Sequence, residues 1–362
     1  MNADLKRERE TGRRNFDVER LTHMLDGGSA EATRRRRQLQ AMIERDPTGV
    51  FDNSDNMYLH RTERHVRALA KHVRLIELCR KVGIGSEPEA NGDVVQSPDF
   101  PTLIHALADD LPTALHWVMF VPNIQSLCDE EQQSLLLPLC RDWRMIGCYA
   151  QTELGHGSNV RALETTATFL PERKGGMKGG SFVIHSPTIT SAKFWPGTLG
   201  RTANHAMVIA RLIDGDGVDR GIHNFLVPLR SMKDHTLLPG VTTGDIGPKI
   251  GYPVMDNGFA MFDKVVIPRR NMAMRFASVD SNGKYEKKAV SDAVSKIAYI
   301  TMMQVRILEC FYKAIVVRVR NELVPPLAKV LVTRELDQWL SLAIHSSFSL
   351  MIDHLFSFFV FS

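Results

Sequence analysis

No two of the five cysteines (Cys79, Cys128, Cys140, Cys148 and Cys310) stand in a C-x-x-C pair, and their number is odd. That leaves no C-x-x-C redox or zinc motif, and a reduced, intracellular setting is the simplest expectation. None of the thirteen histidines shows zinc-ligand spacing, such as H-x-x-x-H beside a third ligand, so no metal is expected. His156 and His205 read instead as hydrogen-bonding structural residues. A G-x-S-x-G elbow is missing, which removes support for an α/β-hydrolase triad. Net charge is small too, at +4, with 45 basic residues against 41 acidic ones. With no basic patch interleaved with aromatics, nucleic acid is not an expected partner. The start, Met1 to Glu8, is polar and charged, so it is not expected to act as a secretory signal, which needs an apolar core.

What is present is ordinary material for a packed core. Hydrophobic residues make 44% and charged residues 24% of 362, and the length suggests two or three domains. Residues 1–145 read as helical. Val18, Leu21 and Met24-Leu25 recur at helical spacing after Phe16, and Gly27-Gly28 end the run. A second helix spans Ser29 to Arg45; its four arginines, Arg34 to Arg37, read as a solvated face rather than a phosphate site. The clearest helix runs from Thr62 to Val82, with Val66, Leu69, Val73 and Ile76 sharing one face and Gly83 closing it. Ser86 to Phe100 is a loop. Helices are expected over Thr102–Met119 and Asp129–Cys140, the latter capped by Asp129 with Gln132 three residues on.

Near residue 146 the texture changes. Ile146–Ala150, Thr165–Phe169, Ser181–Ile184, Thr188–Lys193, Ala206–Leu212, Asn224–Leu229 and Phe259–Ile267 are short β-branched or aromatic runs between glycine-rich turns. Many short strands at this spacing predict an antiparallel barrel or sandwich. From Lys287 the helical pattern returns. The apolar tail, Trp339 to Ser362, is long enough to reach across a bilayer, but Asp353, His345 and His354 argue against a span. It reads as a buried or partner-facing helix.

Two segments hold the residues most suited to a ligand. In Gln151-Thr152-Glu153-Leu154-Gly155-His156-Gly157-Ser158-Asn159 an apolar run stops at a loop with two glycines and the hydroxyls of Thr152 and Ser158. Such a strand end suits a flat heteroaromatic ring or a phosphate. In Lys193-Phe194-Trp195-Pro196-Gly197, Trp195 offers a flat stacking face and Gly197 leaves room where a side chain would crowd a ligand. Taken alone, this segment also reads as a core tryptophan at a barrel corner. A third segment, Gly244 to Gly251, lacks a G-K-[ST] ending, fails as a nucleotide-triphosphate loop and reads as a tight surface loop.

Thr152 to Asn159, Lys193 to Gly197, Gly244-Asp245-Ile246-Gly247 and Asp256-Asn257-Gly258-Phe259, in this order and spacing, resemble the peroxisomal acyl-CoA oxidases. So does Phe16-Asp17-Val18-Glu19-Arg20-Leu21-Thr22 followed by Leu25-Asp26-Gly27. The similarity covers roughly residues 1–315. It implies an α+β fold: an N-terminal helical domain (1–145), a central antiparallel β-barrel that binds flavin and acyl-CoA (146–280), and an incomplete C-terminal helical region (281–362). It also implies FAD as cofactor, fatty acyl-CoA and O2 as substrates, trans-2-enoyl-CoA and H2O2 as products, a homodimer, and the peroxisome as location. By resemblance Thr152 hydrogen-bonds the flavin ring, with Gln151 and Trp195 in the same cofactor-binding set. Gly197 lies against the reactive side, where the related dehydrogenases carry threonine, and a glycine there would let oxygen approach. Ser158, counted with them, lies along the acyl-CoA path.

The resemblance fades after about Val317. The family's catalytic glutamate belongs to a bundle that no segment here matches, so no catalytic residue is named, and the chain reads as a C-terminally shortened form. Its last residues, Phe359-Val360-Phe361-Ser362, are not an S-K-L-type peroxisomal address. A form that binds acyl-CoA, FAD or a partner without turnover therefore stands as the alternative. A dehydrogenase with a protein electron acceptor is disfavoured by Trp195-Pro196-Gly197.

Overall fold

The computed structural model describes residues 3–288 except Phe16, Glu89, Asn91 and Ser158. The expectations for the helical region after Lys287, the tail and Cys310 lie outside the described residues. Residues up to Arg36 fall in one compact unit and residues from Arg37 in a second. In the first, α1 (Ala3–Asn15) and α2 (Val18–Leu25) precede the start of α3 (Ala30–Glu44). Asp17 caps α2 by accepting from Arg20 N–H, and Gly27 and Gly28 take positive φ after it.

In the second unit α4 (Arg61–Val82) starts at a capping box, with the His60 ring accepting from Thr62 N–H and Glu63 accepting from His60 N–H. Gly83 ends it in the left-handed region at φ 80°. Its buried stripe is His65, Ala68, His72, Leu75 and Cys79 rather than the expected one: Val66 and Val73 are exposed, and of that set only Ile76 is buried. The two stripes lie side by side on a 3.6-residue helix. Long-range bonds choose between them, from His65 Nδ1 to the Val254 carbonyl and from His72 Nδ1 to Thr113 Oγ1. The helix expected over Thr102–Met119 is broken. α5 (Phe100–Ala106) stops before Ala108, whose φ is 49°, and Pro112 disfavours helix at Leu111. A π-turn at His116–Phe120 then leads into α6 (Val121–Leu127). α7 (Glu130–Arg141) begins at the expected Asp129–Gln132 capping box. No helix among the described residues is long and apolar enough to cross a membrane.

Strands begin at β1 (Gly147–Ala150), followed by β2 (Thr166–Leu170), β3 (Ser181–His185), β4 (Lys193–Phe194) and β5 (His205–Ile213). β6 (Asp219–Pro228), β7 (Val241–Asp245), β8 (Gly258–Phe262), β9 (Val265–Pro268), β10 (Ala277–Val279) and β11 (Tyr285–Lys287) complete them. The mixed helix-and-sheet class is as expected, with three differences in detail. First, the sheet is not wholly antiparallel: β5 pairs antiparallel with β6 along one edge, but β1 and β2 share its other edge and both run parallel to it. Second, β4, β8 and β7 form a separate three-stranded sheet and β10–β11 a ribbon. Third, two expected strands change. Phe259–Ile267 is two strands in different sheets, broken at Lys264 with φ 52°: β8 pairs with β4 and β7, and β9 with β3. Most of Thr188–Lys193 is a turn, because Ser191 Oγ donates to the Thr188 carbonyl at 2.6 Å and offers the backbone a local alternative to a ladder.

β5 is buried along almost its whole length, and its two faces serve two cores. Ala206, Val208, Ala210 and Leu212 join Phe182, Phe225, Phe262 and Ile267 between the sheets. Met207 and Ile209 point the other way, into a cluster with Phe120, Ile124, Cys140 and Tyr149 from the helical side. β1 repeats the alternation, Cys148 and Ala150 inward and Tyr149 toward the helices. The strand that leads into Gln151-Thr152 is thus clamped on both faces.

Candidate flavin site

The structure brings the four segments singled out in the sequence into one hydrogen-bonded patch. Phe194 N–H donates to the Thr152 carbonyl at 2.9 Å, and Glu153 bridges Lys193, so the threonine loop lies directly on β4. Leu154 N–H and Gly155 N–H continue the contact, donating to the carbonyls of Ala192 and Thr190. On the other side of β4, Trp195 N–H donates to the Gly258 carbonyl and Gly258 N–H to the Pro196 carbonyl, both at 2.9 Å. Asn257 Nδ2 donates to the Trp195 carbonyl at 2.7 Å. The Gly244–Gly247 segment is not only a surface loop. Gly244 and Asp245 belong to β7, paired with Phe259 and Gly258, and Ile246 N–H donates to the Asn257 carbonyl.

The corner between β4 and the following turn is strained. Trp195 has φ 84° and Thr198 φ 69°, left-handed values that cost a side-chain-bearing residue on the order of 1–3 kcal/mol. Tight bonds hold it there: those from Gly258 and Asn257, and Thr198 Oγ1 donating to the Pro112 carbonyl at 2.7 Å. Trp195 is 53% exposed despite this anchoring, so its ring offers a face outward.

The named residues differ in what they leave open. Thr152 and Gln151 are half-buried. Gln151 Oε1 accepts from Tyr149 Oη at 2.9 Å, while neither the Gln151 amide nitrogen nor the Thr152 hydroxyl makes a hydrogen bond among the described residues. Gly197 is buried, and the space its missing side chain leaves is taken by protein. A Cβ there would lie 2.9 Å from Met255 Sδ and 3.2 Å from Leu115 Cδ1. Packing therefore supplies its own reason for glycine, where the sequence suggested room for a ligand. Ser158 lies outside the described residues. His156 Nε2 meets Glu164 Oε1 at 2.9 Å and His205 Nδ1 meets Asn204 Oδ1 at 2.9 Å, in keeping with structural roles.

Sequence reasoning missed an ion pair inside these motifs. Lys193 Nζ and Glu153 Oε1 lie 3.0 Å apart, and both side chains are fully buried. The ammonium also donates to the carbonyls of Ile209 (2.6 Å) and Gln151 (3.2 Å). The carboxylate accepts from Thr165 N–H, Thr165 Oγ1 and Glu164 N–H. Burial pulls the Lys193 pKa down to about 8, and the Glu153 charge resists that shift. The available clue was one charge of each sign in segments otherwise made of apolar and small residues.

A family model described as acyl-coenzyme A oxidase N-terminal matches residues 17–146. Peroxisomal acyl-coenzyme A oxidase 1 of Phascolarctos cinereus is 42% identical over 306 residues, 84% of this chain and 43% of the relative. The Arabidopsis thaliana protein of the same name is 43% identical over 300 residues, 82% of this chain and 42% of its own length. The chain belongs to the acyl-CoA oxidase family. Among solved structures, Arabidopsis thaliana acyl-CoA oxidase 1 superposes with a TM-score of 0.70 at 41% identity, covering 81% of this chain and 41% of that one. Caenorhabditis elegans acyl-CoA oxidase-2, solved with FAD, ascaroside-CoA and ATP bound, gives a TM-score of 0.71 at 35% identity, covering 84% and 43%. The chain spans about two-fifths of the length of these relatives.

Proposed function

We propose that this chain is the flavin-binding part of a peroxisomal acyl-CoA oxidase, with FAD as cofactor, a fatty acyl-CoA as substrate, O2 as electron acceptor and a homodimer as its working assembly. The observation that carries the reading is the junction of the Thr152 loop with the Trp195 corner: open hydrogen-bonding groups on Thr152 and Gln151 lie on the strand that leads to an outward-facing indole. That donor set fits the polar edge and flat face of an isoalloxazine ring. The relatives' names and the FAD-bound Caenorhabditis elegans structure support the same reading. The domain division at about residues 145 and 280 belongs to this proposal as well.

When bound, FAD supplies the redox chemistry that turns an acyl-CoA into a trans-2-enoyl-CoA and passes the electrons to O2, giving H2O2. The chain's own residues bind and orient. Thr152 Oγ1 and the Gln151 amide nitrogen would hydrogen-bond the ring edge and Trp195 would cover a face. Among the described residues two carboxylates flank the Thr152 loop, and both are committed: Glu153 to Lys193 and Thr165, Glu164 to His156, Thr188 and Thr190. Neither is free to take the α-proton of a thioester, which needs a base within about 3 Å. That observation favours a second reading, a form that binds FAD or acyl-CoA without turnover.

The experiment is direct. The purified chain is mixed with FAD, desalted and examined for flavin absorbance, then assayed for peroxide with a long-chain acyl-CoA. Retained flavin with oxygen-dependent peroxide establishes the oxidase, and retained flavin without peroxide establishes the binding form. A colourless protein refutes the flavin site.

A further inference from the structure

We propose that Lys193 and Glu153 are positioning residues for the flavin edge, holding Gln151 and Thr152 in register with Trp195. The inference rests on the flavin reading above and goes beyond it by assigning a role to two residues that face no ligand. The geometry is specific. Lys193 grips the chain on both sides of Thr152, through the Gln151 carbonyl at 3.2 Å and the Glu153 carboxylate at 3.0 Å. Its third bond, 2.6 Å to the Ile209 carbonyl, fixes the group to β5, the strand clamped between the two cores. Lys193 is itself the first residue of β4, two positions before Trp195. One ammonium thus ties together the edge that carries the open donors, the central strand and the strand that presents the indole. Glu153 extends the tie to the start of β2 through Thr165.

Stability alone does not account for such a pair. Two buried charges repay their desolvation poorly, and apolar residues of similar volume often serve the fold as well or better. What an apolar replacement lacks is direction: it cannot point three hydrogen bonds at three chosen carbonyl or carboxylate oxygens. The burial that draws Lys193 down to about 8 shows how reluctantly the charge is held there.

The test compares the wild-type chain with the double variant Glu153→Leu/Lys193→Met, using FAD itself as probe. Fluorescence titration gives the dissociation constant, visible circular dichroism reports how the bound ring sits, and far-ultraviolet circular dichroism with a thermal melt reports the fold. The expected result is a folded double variant whose FAD dissociation constant rises at least tenfold and whose bound-flavin dichroism changes. A folded double variant with wild-type affinity and dichroism overturns the proposal while leaving the flavin site intact. Should the double variant fail to fold, Glu153→Gln decides, since it keeps the shape while removing the charge and turning one of the two acceptor oxygens into a donor. A rise of threefold or more with altered dichroism supports positioning, and unchanged values overturn it. A wild-type chain that takes up no FAD refutes the flavin reading and this proposal together.

Discussion

Gly258 stands where three backbone segments meet, and its replacement by alanine is the sharpest test of how the patch is built. A Cβ at this position would lie 2.5 Å from Gly200 N, 2.6 Å from Gly200 Cα and 2.8 Å from the Gly244 carbonyl oxygen. Ordinary contact needs about 3.5 Å, so the segments must part by roughly 1 Å. No side chain can rotate aside, because every obstructing atom is backbone. The movement falls on two 2.9 Å bonds, Trp195 N–H to the Gly258 carbonyl and Gly258 N–H to the Pro196 carbonyl. Leaving a buried polar group unpaired costs about 1–3 kcal/mol, so Gly258→Ala should destabilise by on the order of 3–5 kcal/mol. Gly157→Ala is the internal control. It sits in the Thr152 loop with nothing within 4 Å of its Cβ position, and alanine there should be neutral or stabilise by about 0.4–1 kcal/mol. Urea unfolding of both variants, followed by far-ultraviolet circular dichroism, gives the two free energies. Trp195 fluorescence should report the corner loosening in Gly258→Ala. If Gly258→Ala unfolds within about 1 kcal/mol of wild type, the close approach described here is wrong.

Further outcomes follow from the same geometry. Gly197→Thr should overpack against Met255 and Leu115 and cost about 1–3 kcal/mol, and adding Met255→Ala should recover most of it in a thermal melt; an undiminished single variant contradicts the packing reason for glycine. Thr152→Val should leave urea stability within about 0.5 kcal/mol of wild type. The same change should weaken FAD by about three- to tenfold, the worth of one hydrogen bond. Burial holds the pKa of His72 at about 3 and of His116 at about 4, both below the ordinary 6.5. The unfolded chain therefore binds more protons between pH 4 and 6.5, and stability should fall as pH drops through that window, by about 2 kcal/mol per histidine at pH 5. Urea midpoints at pH 7 and 5 measure this, and equal midpoints would count against it. Lys193 works in the opposite window. Its folded pKa of about 8 lies below the unfolded 10.5, so its contribution rises with pH between those values. The slope should vanish in Glu153→Leu/Lys193→Met, whose removal of both charges takes away the group and the partner that faces it.

Local chemistry was legible in the sequence wherever local chemistry decides. The Asp129–Gln132 capping box, the Gly83 helix end and the start of the strand region at Gly147 follow from neighbours within a few residues. The segments that carry Thr152, Trp195 and Asp256–Phe259 do meet in the fold. What the sequence hid depends on partners far along the chain. The face of α4 is chosen by Val254 and Thr113, so Val66 and Val73 look as eligible as Ala68 and Leu75 until the fold is seen. β7 carries two threonines and a glycine and owes its strand character to pairing with β8. Gly197 reads as space for a ligand because Met255 and Leu115, which fill that space, come from other segments. The pairing of Lys193 with Glu153 leaves no periodic trace, because each residue occurs once and 40 positions separate them.

The patch separates two tasks that are mixed in most loops. Position is set by backbone groups and by a buried ion pair: the Thr152 and Gly258 carbonyls accept from β4 and its corner, and Lys193 locks the loop from beneath. On the proposed reading, recognition falls to the Thr152 hydroxyl, the indole face of Trp195 and the Gln151 amide nitrogen, whose own oxygen accepts from Tyr149 Oη. A ligand meeting such a surface pays little for ordering, because the groups it meets sit on segments already fixed by the fold. The strain at Trp195 and Thr198 follows from the same division. Short bonds from Asn257 Nδ2 to the Trp195 carbonyl and from Thr198 Oγ1 to the Pro112 carbonyl, 2.7 Å each, hold that unfavourable geometry. The corner is therefore expensive where it touches protein and open where it faces outward, the arrangement a rigid planar ligand requires.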